Sequence, residues 1–286
     1  MTEKIILLGA SGQLGRQLVE TRPEDVELLA LRHAELDICD SLAVKSLLQT
    51  FQPTQIINAA AYTRVDDAES DSESAYAVNA RGPAVIAENA PAACRIMQIS
   101  TDFVFDGKSN RPYQPFDETG PLSVYGKSKR QGELNLLGLK PESLVIRTAW
   151  LYSAQGKNFL TTMLRLMSER EELGVVADQF GTPTSVNSLA QVIWRFVAKP
   201  ELQGIYHWTD QGVASWFEFA CEIQRQAFTG GLLDKKIPIR ALTTQEYPTP
   251  AKRPAYSVLD KARTYQVINF TGLSWQAELE KVLAGI

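Results

Sequence analysis

Tyr125 and Lys129 have the types and spacing that point most clearly to chemistry, because they stand four positions apart in the run Tyr-Gly-Lys-Ser-Lys. In a helix, two such side chains share one face. An ammonium beside a phenol favours the phenolate, so we expect Lys129 to lower the pKa of Tyr125 from its ordinary value of about 10. A tyrosine tuned in this way can serve as the general acid in a carbonyl reduction. Because similar pairs occur on many surface helices, the prediction needs further residues to support it.

Thr101 supplies the next candidate, in Ser-Thr-Asp at the end of a predicted fifth strand. Its hydroxyl would bind a substrate oxygen and orient it toward Tyr125.

A glycine-rich turn, Gly-Ala-Ser-Gly-Gln-Leu-Gly, directly follows the first predicted strand and opens a helix. Glycines there permit a tight turn and let backbone amides approach a pyrophosphate at the positive end of the helix. A purely structural turn is the alternative, but the position after a first strand favours dinucleotide binding. The residues predicted to contact the cofactor here are Gly9, Ser11, Gly12, Gln13, Leu14 and Gly15.

Arg32 stands at the end of the second predicted strand, where an acid would bind the ribose hydroxyls of NADH. An arginine there can bind a 2′-phosphate, which favours NADPH. A solvated surface arginine is the alternative, so the use of NADH stays open. Asp37 and Ile38 are predicted at the end of a third strand, with the Asp37 carboxylate accepting from an adenine amino group. A helix N-cap role competes, because Asp40 and Ser41 are typical helix starters.

Small residues end the predicted fourth strand in the run Asn-Ala-Ala-Ala, which contains Ala59, Ala60 and Ala61. They would let the backbone run close beside the cofactor at the carboxyl end of the sheet, where ligands bind in such folds. Ordinary core packing is the alternative interpretation.

Short apolar runs alternate with amphipathic stretches in the first half of the chain, which predicts a doubly wound α/β fold with a parallel sheet of Rossmann type. The main strands are expected at 4–8, 26–31, 55–59, 95–100 and 143–147, and helices at 13–21, 41–51, 74–89 and 125–137. Helices at 159–170, 187–197 and 216–227 follow in a proline-rich region that predicts a smaller C-terminal substrate lobe. We expect residues 1–152 to form the dinucleotide-binding domain, with about 187–212 returning to it. Residues 153–186 and 213–286 would form the lobe.

The composition excludes several classes of partner. The 286 residues carry a formal net charge of −4, so no positive field gathers nucleic acid or anionic lipid. Cys39, Cys94 and Cys221 have neither disulfide-framework nor zinc-site spacing. With no run of membrane-spanning length and no signal-peptide pattern, a cytoplasmic protein is expected.

Several motifs together resemble the dTDP-4-dehydrorhamnose reductase family of extended short-chain dehydrogenases, and the matches cover nearly the whole chain. They are the glycine turn, Asn58 to Thr63, Ser100 to Gly107, Tyr125 to Lys129, Arg147 to Trp150, Asp178 to Thr184 and Arg253-Pro254. The resemblance implies reduction of the 4-keto group of dTDP-6-deoxy-L-lyxo-4-hexulose to dTDP-L-rhamnose with NADPH or NADH.

The same resemblance implies roles for individual residues. Tyr125 would be the proton donor, Lys129 would hold the nicotinamide ribose, and Thr101 would tune proton transfer. The substrate would contact these residues together with Asp102, Trp150 and Arg253, and the cofactor would also contact Tyr62 and Thr63. The family usually has a tyrosine at the position of Phe103. Members of the family can bind Mg²⁺ between subunits. The resemblance therefore implies a possible homodimer and a possible magnesium ion, for which no residues are assigned.

Three alternatives are weighed against this interpretation. A 4,6-dehydratase would need an acid beside Asp102, and Phe103 cannot ionise. An epimerase would need an additional acid and base, whereas the only histidines are His33 and His207, and His207 is expected to pack on a strand. A non-catalytic, NADP-binding regulatory subunit is the third, and retention of the candidate catalytic residues disfavours it. The remaining tryptophans, Trp194, Trp208, Trp216 and Trp275, are expected in the core.

Overall fold

The computed structural model describes residues 3–286, built around a six-stranded parallel sheet. The strands are β1 (Glu3–Leu8), β2 (Val26–Leu31), β3 (Gln55–Asn58), β4 (Arg95–Thr101), β5 (Leu144–Thr148), β6 (Leu151–Tyr152), β7 (Leu173–Val176), β8 (Phe180–Gly181), β9 (Thr184–Ser185), β10 (Gly204–His207), β11 (Ala214–Ser215) and β12 (Ile239–Leu242). The α-helices are α1 (Gln13–Glu20), α2 (Ser41–Phe51), α3 (Ser72–Tyr76), α4 (Gly82–Asn89), α5 (Val124–Leu139), α6 (Phe159–Glu169), α7 (Val186–Val197), α8 (Trp216–Thr229), α9 (Ala262–Ile268) and α10 (Trp275–Leu283).

The strand order of the main sheet is β2-β1-β3-β4-β5-β10. The order reverses beside β1, because the chain builds β2 on one side of it and β3 on the other. In the register, Leu8 pairs with both Leu31 and Asn58, so the carboxyl ends of these three strands lie level. Ligands of doubly wound sheets bind at such a switch point. The Rossmann-type fold predicted from the sequence is confirmed.

Helices cover both faces of the sheet, which explains why its strands are apolar on both sides. Alternate residues of β1 show this directly: Ile5 and Leu7 face one core, whereas Ile6 and Leu8 face the other. The first core includes side chains of α1 and α7, and the second includes side chains of α2, α4 and α5.

The C-terminal lobe has a core of its own. Side chains of α6, α8 and α10 pack there with those of β7, and examples are Leu160, Phe219 and Leu279, each with no exposed surface. β7 pairs with β12 in a small parallel sheet. Within residues 3–286, no helix is both long and apolar enough to cross a bilayer.

The chain returns to the main sheet in its second half. β10 extends the sheet beside β5, and α7 packs on the first core, which agrees with placing about 187–212 in the dinucleotide-binding domain. α9 also packs there, since Ile268 is buried in the same core although its position lies within the predicted lobe. The division into domains stays a prediction; the contacts of α9 favour assigning that helix to the sheet.

The prediction of a third strand ending at Asp37 and Ile38 was wrong. This segment is a turn, in which the backbone N–H groups of Glu35 and Leu36 both donate to the carbonyl of Arg32. Among residues 3–286, β2 is the edge strand of the sheet and no strand lies beyond it.

The single helix predicted over 74–89 is interrupted. α3 ends at Tyr76, a π-helical turn covers Ala77–Arg81, and α4 begins at Gly82. Pro83 in the first turn of α4 has no N–H to donate to the carbonyl of Asn79, which disrupts regular α-helical bonding.

Candidate active site

A cleft of about 440 Å³ opens at the carboxyl ends of β1 and β3. Ten predicted cofactor residues line it together, namely Gly9, Ser11, Gly12, Asp37, Ile38, Ala59, Ala60, Ala61, Tyr62 and Thr63. The lining also includes His33, Leu36, Arg64 and Val78, which the sequence did not single out as cofactor contacts. The glycine turn and the alanine run, about fifty positions apart in the chain, therefore form one site.

The glycine turn has the geometry of a diphosphate cradle. Gly9 has φ +84°, and a Cβ there would lie 2.6 Å from the backbone nitrogen of Ala60. A Cβ on Gly15 would overlap the carbonyl oxygen of Gly9. No side chain caps the N-terminus of α1, where Gly12 is the N-cap, so its first amides stay available to an anion. These residues fit a dinucleotide diphosphate.

Five predicted cofactor residues do not line this cleft, and one of them, Lys129, lies with the catalytic candidates. The side chain of Leu14 is buried in the core, so only its backbone is available to a ligand. The amide oxygen of Gln13 accepts from the Ser153 hydroxyl at 2.7 Å and from Asn158 Nδ2 at 3.0 Å, which ties α1 to the start of α6. Gly15 acts through close backbone packing. Their cofactor contacts stay predictions.

Arg32, the fifth, is exposed and forms a two-pronged pair with Glu35. Nε donates at 3.1 Å and Nη2 at 2.8 Å to the two carboxylate oxygens. The guanidinium lowers the pKa of Glu35 to about 2 through these hydrogen bonds. A 2′-phosphate that binds Arg32 would therefore have to displace Glu35 or share the guanidinium with it.

Asp40, not Asp37, caps α2. The Asp40 carboxylate accepts from the backbone N–H groups of Leu42 and Ala43. Asp37 accepts from the N–H of Cys39 and lines the cleft, which is the position that adenine recognition would require.

The catalytic candidates meet where β4 ends and α5 begins. Ser123 caps α5 through the N–H of Gly126, so Tyr125 lies in the first turn of the helix. The absence of a side chain at Gly126 lets this turn approach the carbonyl of Phe103. The Tyr125 phenol lies beside the Thr101 hydroxyl, and its ring packs edge-on against Phe103 at 5.7 Å between centroids. Tyr125 also packs against the apolar cluster that contains Tyr62 of the cleft lining.

Lys129 is buried and donates from Nζ to the carbonyl oxygen of Ile99 at 2.6 Å. Burial lowers the pKa of this ammonium to about 8. Burial raises the pKa of Tyr125 to about 12. The Thr101 hydroxyl opposes this rise, and the Asp102 charge adds a smaller increase. The expectation that Lys129 lowers the pKa of Tyr125 was therefore wrong, because desolvation of the phenol has the largest effect and Lys129 is not among the groups that shift this pKa.

Asp102 is buried directly beside this pair. One carboxylate oxygen accepts from the Thr101 hydroxyl at 3.1 Å, and within residues 3–286 the other has no hydrogen-bond partner. Burial raises the pKa of Asp102 to about 6, although the nearby hydroxyls of Ser257 and Thr101 partly oppose this rise. The free oxygen could accept a substrate hydroxyl.

A buried ion pair, not anticipated from the sequence, supports α5 from below. Glu133 lies one turn after Lys129 and accepts from Arg147 Nε at 2.8 Å and Nη2 at 2.7 Å. It also accepts from the hydroxyl of Ser100 at 2.6 Å. Glu133 therefore joins α5 to the ends of β4 and β5. In the sequence, Glu133 could have been noticed because it stands four positions after Lys129 on the same helix face. That spacing is equally compatible with an exposed Glu133.

Asn79 and Glu69 were also missed. The amide of Asn79 accepts from the N–H of Tyr62 at 2.9 Å and donates to its carbonyl at 3.0 Å, which fixes the cleft lining. Glu69 accepts from the N–H of Val124 at 2.8 Å, at the start of α5. Asn79 could have been noticed because it is a polar residue within an apolar helix. Glu69 could not, because its partner Val124 is distant in sequence.

Trp150 lies at the junction between the sheet and the lobe. It has φ +47°, which L side chains rarely adopt. Its indole stacks on half-buried Trp216 with 3.5 Å between centroids, and a Cβ on Gly181 would lie 2.6 Å from the same ring. Trp216 is thus a partner of Trp150 and is less buried than expected, whereas Trp194, Trp208 and Trp275 are buried. Packing of Trp150 on a substrate stays a prediction.

Arg253, predicted to contact substrate, forms an ion pair with Asp66, with Nη2 2.7 Å from Oδ2. His207 is on β10 as predicted and is buried, with Nδ1 3.1 Å from the carbonyl oxygen of Tyr113. Within residues 3–286, no three His, Cys, Asp or Glu side chains cluster so as to hold a metal ion.

Known proteins are similar to this chain over nearly its whole length. A sequence model described as the RmlD substrate binding domain matches residues 3–286. The dTDP-4-dehydrorhamnose reductase of Aggregatibacter actinomycetemcomitans is 43% identical over 98% of each chain. A Streptomyces antibioticus relative, whose name assigns it 4-keto reduction of dTDP-4,6-dihydroxy-2-methyloxan-3-one, is 40% identical over 90% of this chain and 87% of its own. The dTDP-4-dehydrorhamnose reductase of Bacillus anthracis str. Ames, solved in complex with NADP, superposes with a TM-score of 0.93 at 37% identity and 100% coverage of both chains. The fold, the cleft and these similarities together place the chain in the dTDP-4-dehydrorhamnose reductase family.

Proposed function

We propose that this protein reduces the 4-keto group of dTDP-6-deoxy-L-lyxo-4-hexulose to give dTDP-L-rhamnose, with NADPH as the preferred reductant. The observation that carries the proposal is the meeting of Tyr125, Thr101 and Lys129 at the carboxyl end of β4, beside a cleft whose glycine turn fits a diphosphate. Family membership and the names of the relatives support the substrate class.

NADPH, when bound, supplies the hydride that reduces the sugar C4. Thr101 hydrogen-bonds with the phenol of Tyr125 and orients the substrate oxygen toward it. Tyr125 donates its proton to that oxygen, and its raised pKa keeps the phenol protonated until then. Lys129, fixed by the carbonyl of Ile99, holds the nicotinamide ribose and helps Tyr125 to regain a proton.

The substrate side of the site is assigned to three further residues. The free carboxylate oxygen of Asp102 accepts a sugar hydroxyl, and Trp150 provides an apolar wall at the lobe. Arg253 provides a positive charge for the nucleotide diphosphate.

The preference for NADPH rests on Arg32, and NADH remains a second substrate because Glu35 partly neutralises that charge. A cytoplasmic location fits three widely spaced cysteines in an acidic chain. A homodimer and a magnesium ion stay predictions from the family resemblance.

The test is oxidation of NADPH by the purified protein on addition of the keto sugar nucleotide, with the product identified by NMR. We expect stoichiometric dTDP-L-rhamnose. The keto sugar of the Streptomyces antibioticus relative serves as the comparison substrate, and faster turnover of that compound would reassign the sugar. If the protein binds NADPH but no keto sugar oxidises it, the regulatory-subunit alternative replaces the enzyme.

A further inference from the structure

The 249–255 loop contacts both the segment that follows the cleft lining and the segment that follows β4. Its N-terminal part contacts Asp66, two positions beyond Arg64 of the cleft lining. At its other end, a Cβ on Gly107 would lie 2.7 Å from Pro254 Cα, so the loop packs against the segment that follows β4. Ser257, two residues further on, lies beside the Asp102 carboxylate. The loop therefore borders the site at which the sugar is expected.

Asp66 holds this loop with three hydrogen bonds. Oδ1 accepts from the N–H of Ala251 at 3.2 Å and from Arg253 Nη1 at 2.9 Å, and Oδ2 accepts from Arg253 Nη2 at 2.7 Å. Within residues 3–286, no other side chain outside the loop hydrogen-bonds to it. The Arg253 side chain is 23% exposed and the Asp66 side chain 37% exposed, so solvent screens this pair less than it screens a fully exposed pair.

The segment that carries Asp66 is held in place as well. The backbone of Tyr62 is clamped by two hydrogen bonds from Asn79, and Tyr62 begins the short segment that leads to Asp66. Arg253 is further restrained by the Thr249 hydroxyl and the carbonyl of Ala251. A guanidinium carries five N–H donors, so those not used by these partners stay available to a substrate oxyanion.

We infer that Asp66 is a positioning residue for the sugar nucleotide: its carboxylate holds the 249–255 loop and sets the orientation in which Arg253 meets the substrate diphosphate. The inference rests on the proposed function for the identity of the ligand. It assigns no contact between Asp66 and the substrate. The energetic advantage lies in presenting an arginine whose rotamers are already restricted before binding.

The test compares Asp66→Asn with Asp67→Asn, a neighbouring exposed carboxylate whose ion-pair partner is Arg64 rather than any residue of the loop. We expect Asp66→Asn to raise the KM for the sugar nucleotide about tenfold, with kcat and the KM for NADPH changing less than about twofold. Asp67→Asn is expected to match the unmodified protein. An unchanged KM for the sugar nucleotide in Asp66→Asn, or a parallel rise in the KM for NADPH, would overturn the inference.

A double-mutant cycle with Arg253→Ala tests whether Asp66 acts through Arg253. If it does, Asp66→Asn adds less than about twofold to the KM in the Arg253→Ala background. A full additional effect in that background contradicts the assignment.

Hydrogen exchange separates this inference from the proposed function, because it needs no substrate. Exchange of the Ala251 amide should accelerate in Asp66→Asn and stay unchanged in Asp67→Asn. If the protein turns over no dTDP-4-keto sugar while this difference is observed, the proposed function fails and the hold of Asp66 on the loop stands. If turnover is observed and exchange is equal in the two variants, the positioning role fails alone.

Discussion

Tyr125 keeps its proton because of where its phenol lies. Burial and the Asp102 carboxylate raise its pKa to about 12, so at neutral pH it is a hydrogen-bond donor to an incoming carbonyl oxygen. This suits the reductive direction, in which the tyrosine must give a proton. The buried ammonium of Lys129 is directed to the carbonyl of Ile99, which leaves its other donors for a ribose.

Asp102 is expected to reduce stability at neutral pH. Its folded-state pKa is raised from 3.8 to about 6, so its stabilising contribution is complete below pH 3.8 and is lost as the pH rises through about 6. Asp102→Asn should therefore increase the free energy of unfolding at pH 8 by about 1–3 kcal/mol, with a much smaller gain at pH 4. Urea denaturation at the two pH values measures this difference.

Asp106→Asn is the matched control for that measurement. The Tyr113 hydroxyl lowers the pKa of Asp106 by hydrogen bonding, so its charged form stabilises the fold and the amide should lose stability at pH 8. If Asp102→Asn also loses stability at pH 8, burial of the charged Asp102 carboxylate does not destabilise the fold as inferred.

Helix α5 is positioned by close backbone contacts as much as by its side chains. Gly132 faces the π-helical turn, where a Cβ would overlap the carbonyl oxygen of Asn79. On the other side, Glu133 is bound by Arg147 and Ser100. The helix that carries Tyr125 and Lys129 is therefore fixed both against the segment that holds the cleft lining and against β4 and β5.

Gly132→Ala should separate α5 from the π-helical turn. We expect the free energy of unfolding to fall by about 1–3 kcal/mol, because the added methyl meets backbone rather than a movable side chain. Gly138→Ala, in the same helix, should instead gain about 0.5–1 kcal/mol, since nothing lies within 4 Å of a Cβ there. Urea denaturation compares the two variants, and equal effects would mean that the contact with Asn79 relaxes at no cost.

The elements show which parts of the structure local sequence could specify. β2 and α2 were predicted with their observed bounds, because apolar periodicity and the Asp40 cap are local signals. The π-helical turn was missed, since it depends on Pro83 and on packing against Gly132. The turn at Asp37 was taken for a strand because a short apolar run does not reveal that β2 is the sheet edge.

At the scale of the whole molecule, residues far apart in sequence assemble the site. The glycine turn, the alanine run, Thr101 and Tyr125 were predicted because each carries a recognisable local motif. The pair of Asp66 with Arg253 joins positions 187 residues apart, and nothing local to either residue indicates it. The same holds for Gln13 with Asn158, which links α1 to the lobe. Sequence motifs thus identified the chemistry, whereas the contacts that join distant segments of the chain required the fold.

The central claim is that Tyr125 delivers the proton to a substrate carbonyl beside a bound nicotinamide, and Tyr125→Phe tests it most directly. The variant keeps the ring that packs against Phe103 and against the cluster containing Tyr62, but it removes the hydroxyl. Steady-state oxidation of NADPH by the keto sugar nucleotide should show kcat lowered by about 10²–10⁴-fold. A fluorescence titration of the same variant should give an NADPH Kd within about twofold of the unmodified protein, because the phenol is not a cofactor anchor. Turnover close to that of the unmodified protein would contradict the account.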